Sequence, residues 1–247
     1  MKKRADLRIL LLQIRKSPLT RKEEHESFAR YGGVELEQID VLNVFDTPKF
    51  STDVLDGYDA FFVGGTSDAC VLEPEKSPFL EYAKELLLHC IKIELPVFAS
   101  CFGFQIAAVA LGAKIVKDEK DYEMGVIPIS LTSAAKDDPL FCDTPDGFFA
   151  ISVHQKRALK APPGCELLAY TEPCCQSFRV KDKPFWAFQF HPEVNKQTLI
   201  DRLTLYKEQY TDDDEHLTEV LANAVEVPEA YLLVKKFIDR ILLKKST

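Results

Sequence analysis

Short apolar runs alternate with amphipathic stretches through residues 7–111, and this alternation limits the fold more than any other feature of the chain. Residues 7–14, 35–44, 59–63 and 96–99 read as strands, and 20–31, 77–93 and 103–111 read as helices. Thr20, with Glu23 three residues on, has the form of a helix N-cap. Strand–helix–strand alternation builds a mainly parallel central sheet with helices on both faces, a doubly wound α/β fold. The pattern then changes. Residues 124–131, 148–153, 166–170, 176–180 and 185–190 are short strand-like runs separated by Pro, Gly and Asp turns, which predicts antiparallel additions to the sheet. From residue 195 the pattern is helical, over about 195–210, 215–224 and 228–244, with the acidic patch 212–215 as a solvated helix start. The expected organisation is an α/β domain over 1–194 and a helical C-terminal extension over 195–247. The stripe Tyr231, Leu232, Leu233, Phe237, Ile238, Ile241 and Leu242 packs that extension on the same domain.

The chain has 247 residues, 46% of them hydrophobic, and a formal charge of −8. That size and composition suit one large domain with a full core. The acidic balance argues against sequence-independent nucleic-acid binding, which needs a Lys/Arg surface. Lys2, Lys3 and Arg4 precede an apolar run of only four residues, 9–12, too short for a signal peptide and best read as a buried strand. No stretch approaches a membrane span. The seven cysteines, at 70, 90, 101, 142, 165, 174 and 175, are scattered and lack CxxC pairs. Neither a disulfide framework nor a metal site is expected, and a reducing, cytoplasmic setting is the simplest compartment.

One cysteine stands apart. In Pro-Val-Phe-Ala-Ser-Cys-Phe-Gly-Phe-Gln, residues 96–105, a buried strand runs directly into a helix of small residues, with Cys101 at the junction. A sharp strand–turn–helix bend projects such a side chain out of the sheet and into the positive end of the helix, where thiolate is favoured over thiol. Gly103 suits a tight bend that a side chain would obstruct, and the Phe102 N–H is placed to bind an oxyanion. Taken alone, Cys101 reads equally as a buried cysteine. The second segment is Phe-Trp-Ala-Phe-Gln-Phe-His-Pro-Glu, residues 185–193. An imidazole at His191 can act as base toward a thiol, and a carboxylate at Glu193 can fix its tautomer.

Cys-x-Gly-x-Gln followed ninety residues later by His-Pro-Glu resembles the class I (triad) glutamine amidotransferases over about residues 7–194. The likeness is greatest to stand-alone members, including the γ-glutamyl peptidases. The resemblance implies that Cys101 attacks the γ-glutamyl amide to form a thioester, which water then resolves to glutamate. His191 is general base and acid, and Glu193 orients it. Gly65, in Val-Gly-Gly-Thr at 63–66, and Phe102 supply the oxyanion donors. Gln105 lines the substrate pocket, and Ser152, Val153 and His154 match a stretch whose backbone contacts the substrate. Glu123 with Gly125 matches a Glu-x-Gly near the site in relatives. Two positions depart from the family pattern: Ala99 replaces the Gly two residues before the nucleophile, and Phe104 replaces a His before the motif Gln.

No cofactor is implied. The substrate is glutamine or a γ-glutamyl compound, so the leaving group is ammonia or an amine. An ammonia-accepting synthetase and a second copy of the chain are candidate partners. Two other readings compete: a catalytically silent binding or regulatory relative, which the intact triad disfavours, and another cysteine-elbow α/β family in which His directly follows the Cys, where this chain has Phe102. Cys174 and Cys175 read as structural residues before a strand, and His25, His89 and His216 as surface positions on helices.

Overall fold

The computed structural model describes residues 2–117, 122–205 and 214–244. Nine strands form one sheet. Five are parallel: β1 (Ile9–Gln13), β2 (Ile39–Asn43), β3 (Ala60–Val63), β4 (Val97–Ser100) and β11 (Phe185–Phe188). Four continue the sheet antiparallel: β6 (Glu123–Leu131), β7 (Phe148–His154), β9 (Cys165–Thr171) and β10 (Cys174–Val180). Across the sheet the order is β2-β1-β3-β4-β11-β10-β9-β6-β7. A separate ribbon pairs β5 (Ile115–Lys117) with β8 (Lys156–Ala158). Neither strand of that ribbon was expected, because three residues are too few to show a period.

β1 explains why the parallel half reads so plainly. All five of its residues are buried. Ile9 and Leu11 enter one apolar layer, and Leu10 and Leu12 the other. Alternate side chains of an interior parallel strand face opposite helical layers, so both must be apolar. One layer lies under α2 (Phe79–Ile93) and α3 (Phe102–Ala110). The other lies under α1 (Pro18–Gly32), α4 (Lys196–Leu205), α5 (Asp214–Ala222) and α6 (Pro228–Lys236), the last continued by a π-type turn, Phe237–Leu242.

Several boundaries move for local reasons. α1 starts two residues before Thr20, because Pro18 at its first turn has a pre-set φ; Ser17 is the N-cap, and the Thr20 hydroxyl donates to the Ser17 carbonyl at 3.2 Å. β2 begins at Ile39 rather than 35. Glu35 and Gln38 close a capping box around a 3₁₀ turn, Leu36–Gln38, which takes the residues that would otherwise extend the strand. Cys174 and Cys175 are the first residues of β10, not residues before it. His25 is half-buried, with Nε2 2.8 Å from the Ile39 carbonyl, so it ties α1 to β2 instead of facing water. The expected helical residues 206–210 and the acidic residues 212 and 213 lie outside the described residues.

The terminal helix is part of the core. Phe237 is fully buried, its ring 5.7 Å from Phe62, 5.4 Å from Phe98 and 6.0 Å from Trp186. Tyr231 stacks on Tyr31 at 4.7 Å. Outside this apolar seam, Arg4 pairs with Asp239, and Asp143 receives both Lys236 and Arg240. No helix among the described residues is long and apolar enough to cross a membrane.

Candidate active site

The site lies at the C-terminal ends of three neighbouring parallel strands. Gly64–Gly65 follows β3, Cys101 follows β4, and His191 comes three residues after β11. Cys101 has φ 51° and ψ −97°, a left-handed backbone state that a side chain other than glycine's disfavours, at a cost of about 1–3 kcal/mol. The surroundings hold it there. Its N–H donates to the Phe188 carbonyl at 2.7 Å, and the Gly103 N–H donates to the Gly64 carbonyl at 3.2 Å. A Cβ on Gly103 would meet the Val63 carbonyl oxygen at 2.7 Å, so only glycine lets α3 start this close to β3.

The two departures from the family pattern are accommodated. Ala99 is wholly buried and registers between Val63 and Ala187, where its methyl group joins the apolar layer. Phe104 turns into that same layer, its ring 5.1 Å from Phe178.

His191 is seated by its own N–H, which donates to the Ile151 carbonyl at 2.8 Å. Its Nδ1 lies 2.7 Å from Glu193 Oε1, which assigns the Nδ1 proton to that bond. The imidazole and Cys101 are both packed against Gly65, close enough for their charges to act on each other. Burial is the largest single influence on His191 and pulls its pKa down; the charges of Cys101 and Glu193 together outweigh it and raise the pKa to about 9. For Glu193, burial again acts first and pushes the pKa up, but His191 and then Arg202 prevail and hold it below the ordinary carboxylate value. Gly65 is packed into this assembly: a Cβ there would stand 2.7 Å from His191 Cε1 and 3.3 Å from Cys101 Cβ. Phe102, at the first position of α3, has an N–H with no acceptor within the helix.

Burial holds three of the other thiols in their protonated form. It pushes the pKa of Cys90 and of Cys175 up to about 12 and that of Cys165 to about 11. These thiols stay protonated at neutral pH and have no imidazole partner among the described residues.

Behind the relay lies a charged layer that local sequence patterns do not reveal. Arg15 Nε donates to Glu24 Oε1 at 3.0 Å, and both side chains are shut off from solvent. Burial raises the Glu24 pKa in spite of Arg15 and Arg202. Arg202 donates to Glu23 at 2.8 Å and extends its field to Glu193. Residues 15, 23, 24 and 202 share no spacing that marks a site. The hint in the sequence was an arginine just after a fully buried strand.

A cavity of about 110 Å³ opens on Cys101, lined by Thr66, Gln105, Met124, Val153 and His154 among others. Gln105 contributes to this wall and is anchored through Nε2, which donates to the Lys156 carbonyl at 3.0 Å. Of the three consecutive residues expected to contact substrate, Val153 and His154 line the cavity and Ser152 does not; its side chain is fully buried. His154 Nε2 lies 2.8 Å from Glu123 Oε2, and Glu123 also accepts the Thr171 hydroxyl at 2.6 Å. A smaller space of about 20 Å³, room for one water, lies against His191 between Arg15 and Arg202.

Comparison with known proteins identifies the family. Over 119 residues the chain is 31% identical to a glutamine-hydrolyzing GMP synthase subunit of Methanocaldococcus jannaschii, covering 47% of this chain and 61% of that protein. It is 31% identical over 176 residues to Gamma-glutamyl peptidase 3 of Arabidopsis thaliana, covering 68% of each. Among solved structures, a glutamine amidotransferase from Thermotoga maritima superposes with a TM-score of 0.79 at 22% identity, covering 96% of this chain and 98% of its own; that likeness speaks for the fold. The family model described as glutamine amidotransferase class-I matches residues 39–204, well over half of the chain, and the chain therefore belongs to the class I glutamine amidotransferases.

Proposed function

We propose that this chain is a cysteine-dependent hydrolase of γ-glutamyl amides. The observation that carries the reading is the gathering of Cys101, His191 and Glu193 at one place, with His191 Nδ1 2.7 Å from Glu193 Oε1 and both His191 and Cys101 packed against Gly65. In this mechanism the Cys101 proton already rests on His191 Nε2, and Sγ attacks the γ-carbonyl carbon as thiolate. The resulting oxyanion is received by the N–H groups of Gly65 and Phe102. His191 then gives its proton to the departing nitrogen, which leaves as ammonia or an amine. The γ-glutamyl thioester remains. His191 next removes a proton from water, hydroxide adds to the thioester carbon, and glutamate leaves, with Cys101 again a thiolate and the proton on His191.

Two substrate classes fit. With glutamine the product is ammonia, and a synthetase that consumes it becomes a candidate partner, as the name of the Methanocaldococcus relative suggests. With a γ-glutamyl peptide the leaving group is an amino compound and no partner is needed. The longer match to the Arabidopsis peptidase favours this second class. A silent binding role is disfavoured, since the cysteine, imidazole and carboxylate are all present and gathered at one place. The test is a mass-spectrometric screen for glutamate released from glutamine, glutathione and γ-glutamyl dipeptides, with Cys101→Ala protein as control. Release that persists in the control would overturn the reading.

A further inference from the structure

A second group of reactive side chains stands behind the cavity wall. Glu123 opens β6 and registers opposite His154, the last residue of β7. Cys174 opens β10, opposite Thr171 of β9. The potential ligand atoms of Glu123, His154 and Cys174 all lie within 4.8 Å of one another. The trio is withdrawn from solvent: the His154 side chain is 2% exposed, that of Glu123 11%, and Cys174 is buried. Thr171 and Gln176 donate to the Glu123 carboxylate and fix its direction. His154 is different. Its Nε2 is 2.8 Å from Glu123, yet among the described residues neither ring nitrogen makes a well-aligned hydrogen bond. Nε2 has only this ion pair with Glu123 and Nδ1 has no partner among the described residues, which is uncommon for a buried imidazole unless something else engages it.

We propose that Glu123, His154 and Cys174 form a binding site for a thiophilic divalent cation of the zinc type. The donor set is one sulfur, one imidazole nitrogen and one carboxylate oxygen, which suits zinc and not magnesium or calcium, whose ligands are oxygens. Three protein ligands leave one position of a tetrahedron for water or for a group in the adjoining cavity, which His154 lines together with Cys101. Charge favours occupation. A thiolate and a carboxylate together neutralise a divalent ion, so the filled site buries no net charge.

Binding requires the Cys174 thiol to give up its proton to solvent as the sulfur–metal bond forms. No paired cysteine spacing announces the site, because its ligands come from three strands with one cysteine among them.

Cobalt(II) is the probe, titrated into full-length Cys101→Ser protein so that the relay sulfur cannot bind it. The expected result is one equivalent taken up, a sulfur-to-cobalt charge-transfer band in the near ultraviolet, and displacement by zinc. His154→Ala and Glu123→Gln are expected to weaken uptake tenfold or more, and Cys174→Ser to remove the band. A band that survives Cys174→Ser, or folded Cys101→Ser protein that takes up no cobalt, overturns the proposal. Should Cys174→Ser fail to fold, zinc-edge X-ray absorption of zinc-loaded Cys101→Ser protein decides instead. One sulfur among nitrogen and oxygen neighbours is expected, and a shell with no sulfur or with two is inconsistent with this site.

Discussion

The two halves of the sheet do different work. In the parallel half, β2-β1-β3-β4-β11, every strand points the same way, so all C-terminal ends open on one rim. Three of those ends deliver Gly65, Cys101 and His191, positioned mainly by backbone hydrogen bonds and close packing. In the antiparallel half, β10-β9-β6-β7, strand ends alternate, and no rim collects them. Its contribution is side chains: Met124 from β6 and Val153 and His154 from β7 wall the same cavity. Backbone-set groups tolerate little displacement, whereas walls can change with modest adjustment. On the proposed function, the chemistry belongs to the parallel half and the choice of leaving amine to the antiparallel half.

The strongest way to break this division is at the relay. Cys101→Ala is expected to reduce glutamate release to background in a stopped assay, with an unchanged melting temperature. His191→Ala should lose several powers of ten in kcat, and Glu193→Gln less, because the carboxylate orients the imidazole and does not transfer the proton. Cys101→Ala protein that turns over substrate would end the comparison. Gly65→Ala comes next. Its methyl group would meet His191 Cε1 at 2.7 Å. A loss of about 10²–10³ in kcat is expected, the scale of removing one oxyanion donor, and steady-state kinetics that show a KM effect alone would contradict it.

The third test addresses the support under the parallel half. Phe237→Ala empties a site among Phe62, Phe98 and Trp186. The expected cost is about 3–5 kcal/mol, visible as a drop of roughly 6–20 °C in melting temperature. An unchanged melting temperature would show that the terminal helix is not part of the core that carries β4.

On the other side of the comparison, Met124→Ala should change KM for γ-glutamyl substrates with different leaving amines by about tenfold, the scale of lost apolar contacts in a pocket, with kcat altered little. A uniform loss of kcat for every substrate would place Met124 with the chemistry.

The smallest effect is in pH. His191 has a folded pKa of about 9, above its ordinary 6.5. Its protonation therefore contributes stability that is fully present below about pH 6.5 and is lost as pH rises through about 9. Urea melts of wild type and His191→Gln should differ most near pH 6 and converge toward pH 9. A gap that widens with pH would contradict the charged relay.

The division also decided what the sequence could reveal. Strands such as β1, β3 and β4 are apolar on both faces, so they stand out as uninterrupted runs, and the segments that end them carry the cysteine and the His-Pro-Glu. β5 and β8 have three residues each and leave no period. The 3₁₀ turn before β2 depends on the Gln38 side chain reaching the carbonyls of Arg4 and Leu7, a contact between distant segments. The same holds for the Arg15–Glu24 and Arg202–Glu23 pairs: the sequence marked Glu23 only as a companion of a Thr20 N-cap and gave no sign of Glu24, and the packed fold turns both toward arginines of distant segments. Ser152 was grouped with Val153 and His154 by position in a motif, and its fully buried side chain takes no part in the cavity wall that the other two form.

The seating of Phe237 against Phe62 and Phe98 sets a clock on biosynthesis. Phe98 belongs to the strand that ends at Cys101, yet the ring that covers it is made about 140 residues later by a ribosome adding roughly 5–20 residues per second. A nascent chain halted before residue 228 would already contain the cysteine, the histidine and the glutamate, but would present an uncovered patch of phenylalanine to chaperones. The strand that leads into Cys101 thus receives its apolar cover long after it is made.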